Sequence, residues 1–192
     1  MNKIVCPNCG RLTATAEQQE QYEYRESGLD GLILHGGVTK FTCACSRDSY
    51  YRVEKEAQLL QVIAMALLMK PWPLVGPELR YLRGACRLTQ AKLADLLKVR
   101  RPTIAEREKK LIKAMSAADD FWFRAVMLSQ FHELLLKPGE SHLAPQHIEE
   151  LMEFTSSFSK MTQTRLERIR SKKMTLSLVQ GELWEMDQRQ AA

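Results

Sequence analysis

Residues 88–108 read LTQAKLADLLKVRRPTIAERE, two short helical patterns either side of a tight turn. Thr89 has a hydroxyl that can accept from the unpaired amides at a helix start, so a helix is expected to begin just after it. Leu93, Ala94, Leu96 and Leu97 then give an apolar face at helical spacing. Ala94 is small, as required where two helices cross steeply and their backbones come close. After Lys98 and Val99, Pro102 marks the first turn of a second helix, where its fixed φ fits and its missing donor costs nothing. Ile104 returns to the core that the two helices share.

Working outward, residues 78–87 predict a preceding helix with Leu79, Leu82 and Cys86 facing inward. Further upstream, residues 52–70 are helical in pattern and rich in Leu, Ala and Met. They stop at Pro71-Trp72-Pro73, a helix-breaking linker that Trp72 is expected to pin to a neighbour, and Gly76-Pro77 opens the next element. The apolar run 59–69 falls well short of the roughly 20 residues of a membrane span and reads as a buried helix. Downstream, residues 117–136 predict a helix with Phe121, Trp122, Ala125, Leu128, Phe131 and Leu135 near one face, ended by Pro138-Gly139. Residues 145–173 predict another, burying Ile148, Leu151, Phe154, Phe158, Met161 and Ile169. His142 and His147 have no cysteine or carboxylate partner in the pattern and are expected at the surface or as caps. Residues 176–184 alternate around Gln180-Gly181, as a small hairpin would.

The N-terminal part has a different chemistry. Cys6-Pro7-Asn8-Cys9-Gly10 has the form of a zinc knuckle, two thiolates on one side of a turn that Gly10 relieves. Cys43-Ala44-Cys45 completes four sulfurs, the ligand count of a closed tetrahedral structural Zn²⁺ site. Residues 21–26 and 32–34 read as short strands, with Ser27-Gly28 and Gly36-Gly37 as turns, so the layout is that of a zinc ribbon. The second pair has one intervening residue, shorter than the usual knuckle. That spacing leaves open a site using His35, a redox pair, or a ribbon without metal. Four thiolates leave no open position for catalysis, and Cys86 reads as a small core residue.

Among 192 residues, 45% are hydrophobic and the net charge is +5, a composition that supports a globular core. The charge is uneven. Residues 77–113 hold eleven Lys or Arg against four Asp or Glu, whereas residues 1–57 hold seven against eight. A basic segment centred on the paired helices is the footprint expected of a partner with a phosphate backbone; a solvated lysine-rich face is the alternative. No secretory signal is visible, and a cytoplasmic protein is expected. No nucleophile with a nearby base, glycine-rich phosphate loop or recognisable carboxylate pair stands out, so an enzyme is not expected.

The run ELRYLRGACRLTQAKLADLLKVRRPTIAERE, residues 78–108, resembles the lambdoid-repressor or XRE type of helix-turn-helix, and CPNCG ahead of it resembles the MqsA (YgiT) type of zinc-finger antitoxin and regulator. The resemblance covers residues 1 to about 113 and is carried by Leu88-Thr89-Gln90, Ala94, Val99, Thr103-Ile104 and Glu108. It implies that Gln90 contacts a phosphate and that Arg101, Pro102, Thr103 and Glu106 occupy the exposed positions of a recognition helix. Arg101 would then bond guanine, and Glu106 would accept from a cytosine amino group. It also implies a scaffolding ion pair between Arg83 and Glu108. Three features depart from the family pattern: Lys98 stands at the usual turn glycine, Arg107 replaces an apolar or aromatic residue, and Lys109-Lys110 replace a glycine-containing turn. A lysine at the turn is tolerable if φ stays negative. Arg100, Arg107, Lys109 and Lys110 join the expected DNA contacts.

The fold expected is mainly α, with a small N-terminal β zinc ribbon and an XRE-type helix-turn-helix bundle followed by additional C-terminal helices. The domains expected are a ribbon at 1–51, a helix and Pro-rich linker at 52–76, the DNA-binding domain at 77–113 and a C-terminal helical region at 114–192. The function expected is a sequence-specific transcriptional repressor, acting on its own operon as a homodimer on a palindromic operator in double-stranded DNA. The alternative is an antitoxin whose ribbon binds a toxin or other partner protein. The dimer interface is expected from the C-terminal helices together with the 52–70 helix; a monomer with a thicker core is the competing arrangement.

Overall fold

A computed structural model describes residues 3–6, 8–46, 49–111, 113–158, 174–179 and 183–186. The chain divides into two compact units, one comprising Met1–Arg25, Asp30–Glu56 and Lys173–Ala192 and the other Glu26–Leu29 and Ala57–Lys172. About half of the chain is helical, and the cysteine cluster lies in the N-terminal sheet region.

The first unit is a sheet of β1 (Lys3–Val5), β2 (Leu12–Glu23), β3 (Leu32–Thr42), β4 (Tyr50–Val53), β5 (Met174–Val179) and β6 (Leu183–Met186), ordered β1-β2-β3-β5-β6, with β4 also pairing β3. The strands β2 and β3 are far longer than their sequence suggests. Residues 17–21 of β2 are all polar and show no alternation, because both faces are exposed from Ala16 to Gln18 and at Glu20 and Gln21; the alternation is confined to residues 12–16, where Ala14 is buried. On β3 the alternation is clear: Leu32, Leu34 and Val38 are buried, and Leu176 and Trp184 join them. Gly36-Gly37, expected as a turn, instead lies within β3 at φ 72° and 64°. Two residues of β3 stand there opposite one of β2, since Gln19 pairs Val38 and Gln21 pairs His35. That is a β-bulge, whose left-handed backbone favours glycine.

β4 takes Arg52 and Val53, so the helix expected from residue 52 begins later. The terminal hairpin also differs in its role. β5 and β6 pair antiparallel as the alternation implies, yet β5 also runs parallel to β3 through Leu32 with Met174 and Leu34 with Leu176. The chain's last strands thus complete the sheet that its first residues start. The expected hairpin turn at residues 180–181, and Met161 and Ile169, lie outside the described residues.

The second unit is built on α1 (Glu56–Met69), α2 (Gly76–Ala85), α3 (Gln90–Leu96), α4 (Arg101–Lys109), α5 (Ala117–Leu135) and α6 (Pro145–Phe158). Residues 61–68 of α1 are all buried, the behaviour of a helix apolar on every side. Its C-terminal carbonyls would otherwise be orphaned in the core. The buried guanidinium of Arg124 donates to the carbonyl oxygens of Leu67, Leu68, Lys70 and Trp72, at 2.6 to 3.1 Å. Its charge is balanced by Asp120 on the preceding turn of α5, 2.8 Å away. The buried face of α5 is Phe123, Arg124, Met127, Leu128, Phe131 and Leu134. It is rotated from the expected face, leaving Trp122 65% exposed. His147 is buried rather than at the surface.

The helix α4 packs on both α2 and α3. α2 and α3 both end in the same way. The amides of Arg87 and Leu88 return to the carbonyls of Gly84 and Arg83, and those of Lys98 and Val99 to Asp95 and Ala94. These are two Schellman closures, with Arg87 at φ 54° and Lys98 at φ 55° in the left-handed region. Lys98 therefore does not keep the negative φ that would make a lysine readily tolerable there; the hydrogen-bonded turn imposes the glycine-like conformation on it. Gly76 has a different role. A Cβ there would lie 2.6 to 2.8 Å from the carbonyl oxygens of Lys110, Arg107 and Glu108, so only glycine lets α2 start against the end of α4.

Candidate functional site

The cysteine cluster is assembled by strand pairing. β1 runs out at Val5, and the amide of Cys6 bonds the Arg11 carbonyl while the Gly10 amide returns to the Cys6 carbonyl. Gly10 sits at φ 70°, closing the first knuckle. β3 runs out at Thr42, paired with Thr15, and the Ser46 amide turns back onto Cys43. The loop after β3 is thereby held beside the loop after β1.

All four expected ligands converge. Cys6 Sγ lies 3.6 Å from Cys45 Sγ and Cys9 Sγ 3.9 Å from Cys43 Sγ, and all four sulfurs fall within 4.8 Å of one another. Tetrahedral zinc with bonds of about 2.3 Å requires sulfur separations of about 3.8 Å, so the donor set fits the ion. The Cys43 sulfur foremost, then burial, pushes Cys45 up to about 12, while a backbone hydrogen bond at Arg11 foremost draws Cys9 below the usual thiol value. Four sulfurs this close cannot all be thiolates unless a cation neutralises them. The apolar side chains here are few: Cys6, Ala14 and Cys43 form the buried cluster, with Ile4 and Cys9 against it. Cys86 stays apart, buried on the second unit with its thiol pushed up to about 12 by burial.

On the second unit, Thr89 caps α3 by accepting from the Lys92 amide at 3.1 Å. Leu93, Ala94 and Ile104 are buried, as are Leu79, Leu82 and Cys86. Pro102 lies in the first turn of α4 and Arg100 is its N-cap. Arg100, Arg101, Pro102, Glu106, Lys109 and Lys110 are exposed, and Thr103 and Arg107 are half-buried. Two of the expected contact residues are already engaged. The amide of Gln90 donates to Glu108 Oε2 at 2.8 Å, and Arg107 donates to Asp119 Oδ1 at 2.8 Å. Asp119 is held below the ordinary carboxylate range by the Ser116 hydroxyl first, and by Arg107.

Glu108 organises this arrangement. Only 2% exposed, it receives Arg83 from α2 at 2.6 Å and Gln90 from α3, and Arg83 also donates to the Leu88 carbonyl. The Gln90–Glu108 and Arg107–Asp119 contacts carry no sequence signal, because their partners lie eighteen and twelve residues apart and follow no helical period, whereas Ser116 and Asp119 form a local helix-start pattern. Comparison with family models, curated proteins and solved structures finds no match to this chain.

Proposed function

We propose that the protein is a sequence-specific DNA-binding regulator in which α2, α3 and α4 form a helix-turn-helix of the XRE type and α4 enters the major groove. The observation that carries this reading is the division of α4. Ile104 and Glu108 point inward, while Arg101, Pro102 and Glu106 face solvent between the cations Arg100, Lys109 and Lys110. Arg101 then reads guanine, Glu106 accepts from a cytosine amino group, and the flanking cations neutralise phosphates. Gln90 orients α3 through Glu108 and offers the helix N-terminus, rather than a free amide, to a phosphate. The four cysteines hold Zn²⁺ as a closed structural site that steadies a ribbon poor in apolar side chains.

A homodimer on an inverted repeat, with recognition helices about 34 Å apart, would give the surface that one short module lacks. Residues 61–68 of α1 are buried within the protomer, so the interface belongs to α5, where Trp122 is exposed. Selection from a pool of random duplexes tests this reading: an inverted repeat with half-sites one helical turn apart is expected, and a pool without a common sequence would refute it. A second reading, an antitoxin whose ribbon holds a partner protein, is favoured by β2. Residues 16–23 pair only with β3 among the described residues, and such an edge can accept a further strand.

A further inference from the structure

The four sulfurs are not equivalent. Cys6 and Cys43 are buried, Cys9 is half-buried and Cys45 is exposed. Cys45 also receives the Asn8 side-chain amide, whose Nδ2 lies 3.7 Å from its sulfur, a contact that stabilises charge on the thiolate and tempers its nucleophilicity. Its neighbour across the cluster is Cys6, at 3.6 Å. Cys43 is closer to Cys45 in sequence, but a disulfide between residues two apart closes a small, strained ring.

We propose that the cluster is an oxidation-sensitive clasp, in which hydrogen peroxide links Cys45 to Cys6 across the two knuckles and the metal is released. This rests on the four-thiolate zinc reading above. The exposed Cys45 sulfur attacks one peroxide oxygen; a sulfur–oxygen bond forms, the oxygen–oxygen bond breaks, and hydroxide leaves and takes up a proton as water. Cys6 sulfur then attacks Cys45 sulfur, forming the disulfide and displacing the second oxygen, which also leaves as water. The two sulfurs lose two electrons and the peroxide gains them. Cys9 and Cys43 remain, half of a tetrahedral ligand set and too few to retain the ion. Cys6 and Cys43 also belong to the buried cluster with Ala14, so the linkage alters the side chains that the knuckles pack on.

The test uses the full chain purified under reductant. Its zinc content is measured first, then zinc release to a chromogenic chelator during treatment with hydrogen peroxide, with disulfides mapped by mass spectrometry after alkylation. The untreated chain is expected to carry about one zinc. Peroxide should release it, a peptide pair joined through Cys6 and Cys45 should appear, and dithiothreitol with added zinc should reverse both. Asn8→Ala should speed release several-fold while leaving the starting zinc content unchanged; Cys86→Ser should leave release unaltered. An untreated chain without zinc refutes the metal reading itself. Zinc present but retained under peroxide, or released with Cys43 joined to Cys45, refutes the clasp alone.

Discussion

Arg83 on α2 and Glu108 on α4 form an ion pair at 2.6 Å, in which the carboxylate is nearly withdrawn from water and the guanidinium is 18% exposed. The pair fixes the spacing of helices that have little apolar surface of their own. Glu108→Ala would leave Arg83 and the Gln90 amide without their acceptor. A loss of about 3 kcal/mol or more in denaturant unfolding is expected, the range for a broken buried pair. Unchanged stability would remove Glu108 from this role.

Lys98 closes α3 at φ 55°, where a lysine carries steric cost that glycine does not. Lys98→Gly should therefore stabilise the protein by about 1 kcal/mol, seen as a higher denaturant midpoint at unchanged slope. Destabilisation would mean that the turn does not hold this conformation in solution.

The Asp119 carboxylate is held below the ordinary aspartate value of 3.8 by Ser116 first and then by Arg107. A carboxylate with a folded value below its unfolded one contributes stability above the unfolded value, and loses it as pH falls through the folded value. The stability difference between the wild type and Asp119→Asn should thus be present at pH 7 and shrink on acidification below 3.8. A difference that stays constant to low pH would show that the carboxylate charge is not involved. Asp119 is 45% exposed on its side chain, so the effect is modest and weakens with salt.

Much of the second unit was legible in the sequence because its signals are local. The Thr89 cap, Pro102 in the first turn of α4 and the small Ala94 each follow from neighbouring residues, and α4 starts where they place it. CPNCG and CAC likewise announced four sulfurs, and strand pairing brings them together. Other features depend on distant chain and left no such trace. β5 pairs with β3 across some 140 intervening residues, and residues 17–21 of β2, all polar, carry no alternation that could reveal a strand. The inward face of α5 is set by α1 carbonyls that recruit Arg124, an arrangement that a count of apolar residues rotates away from. Lys98 shows the same limit at a single residue: the turn's hydrogen bonds, not the residue type, choose its φ.

Arg101 and Lys109 are both exposed on α4 but should fail differently when removed. Arg101→Ala should cost about 1 to 3 kcal/mol on the selected duplex and relax preference at one base pair, whereas Lys109→Ala should weaken all duplexes alike and lower the salt slope by about 1. Binding titrations over a range of salt concentrations separate the two. Equal losses on specific and random DNA for Arg101→Ala would move it from base reading to phosphate contact.

The most direct measurement is the affinity of the wild-type chain for its selected duplex and for a scrambled duplex of equal length, at one physiological salt concentration. A ratio of about 10³ or more is expected for a reader of base sequence, and equal affinities for the two duplexes would contradict the assignment of α4 as a recognition helix.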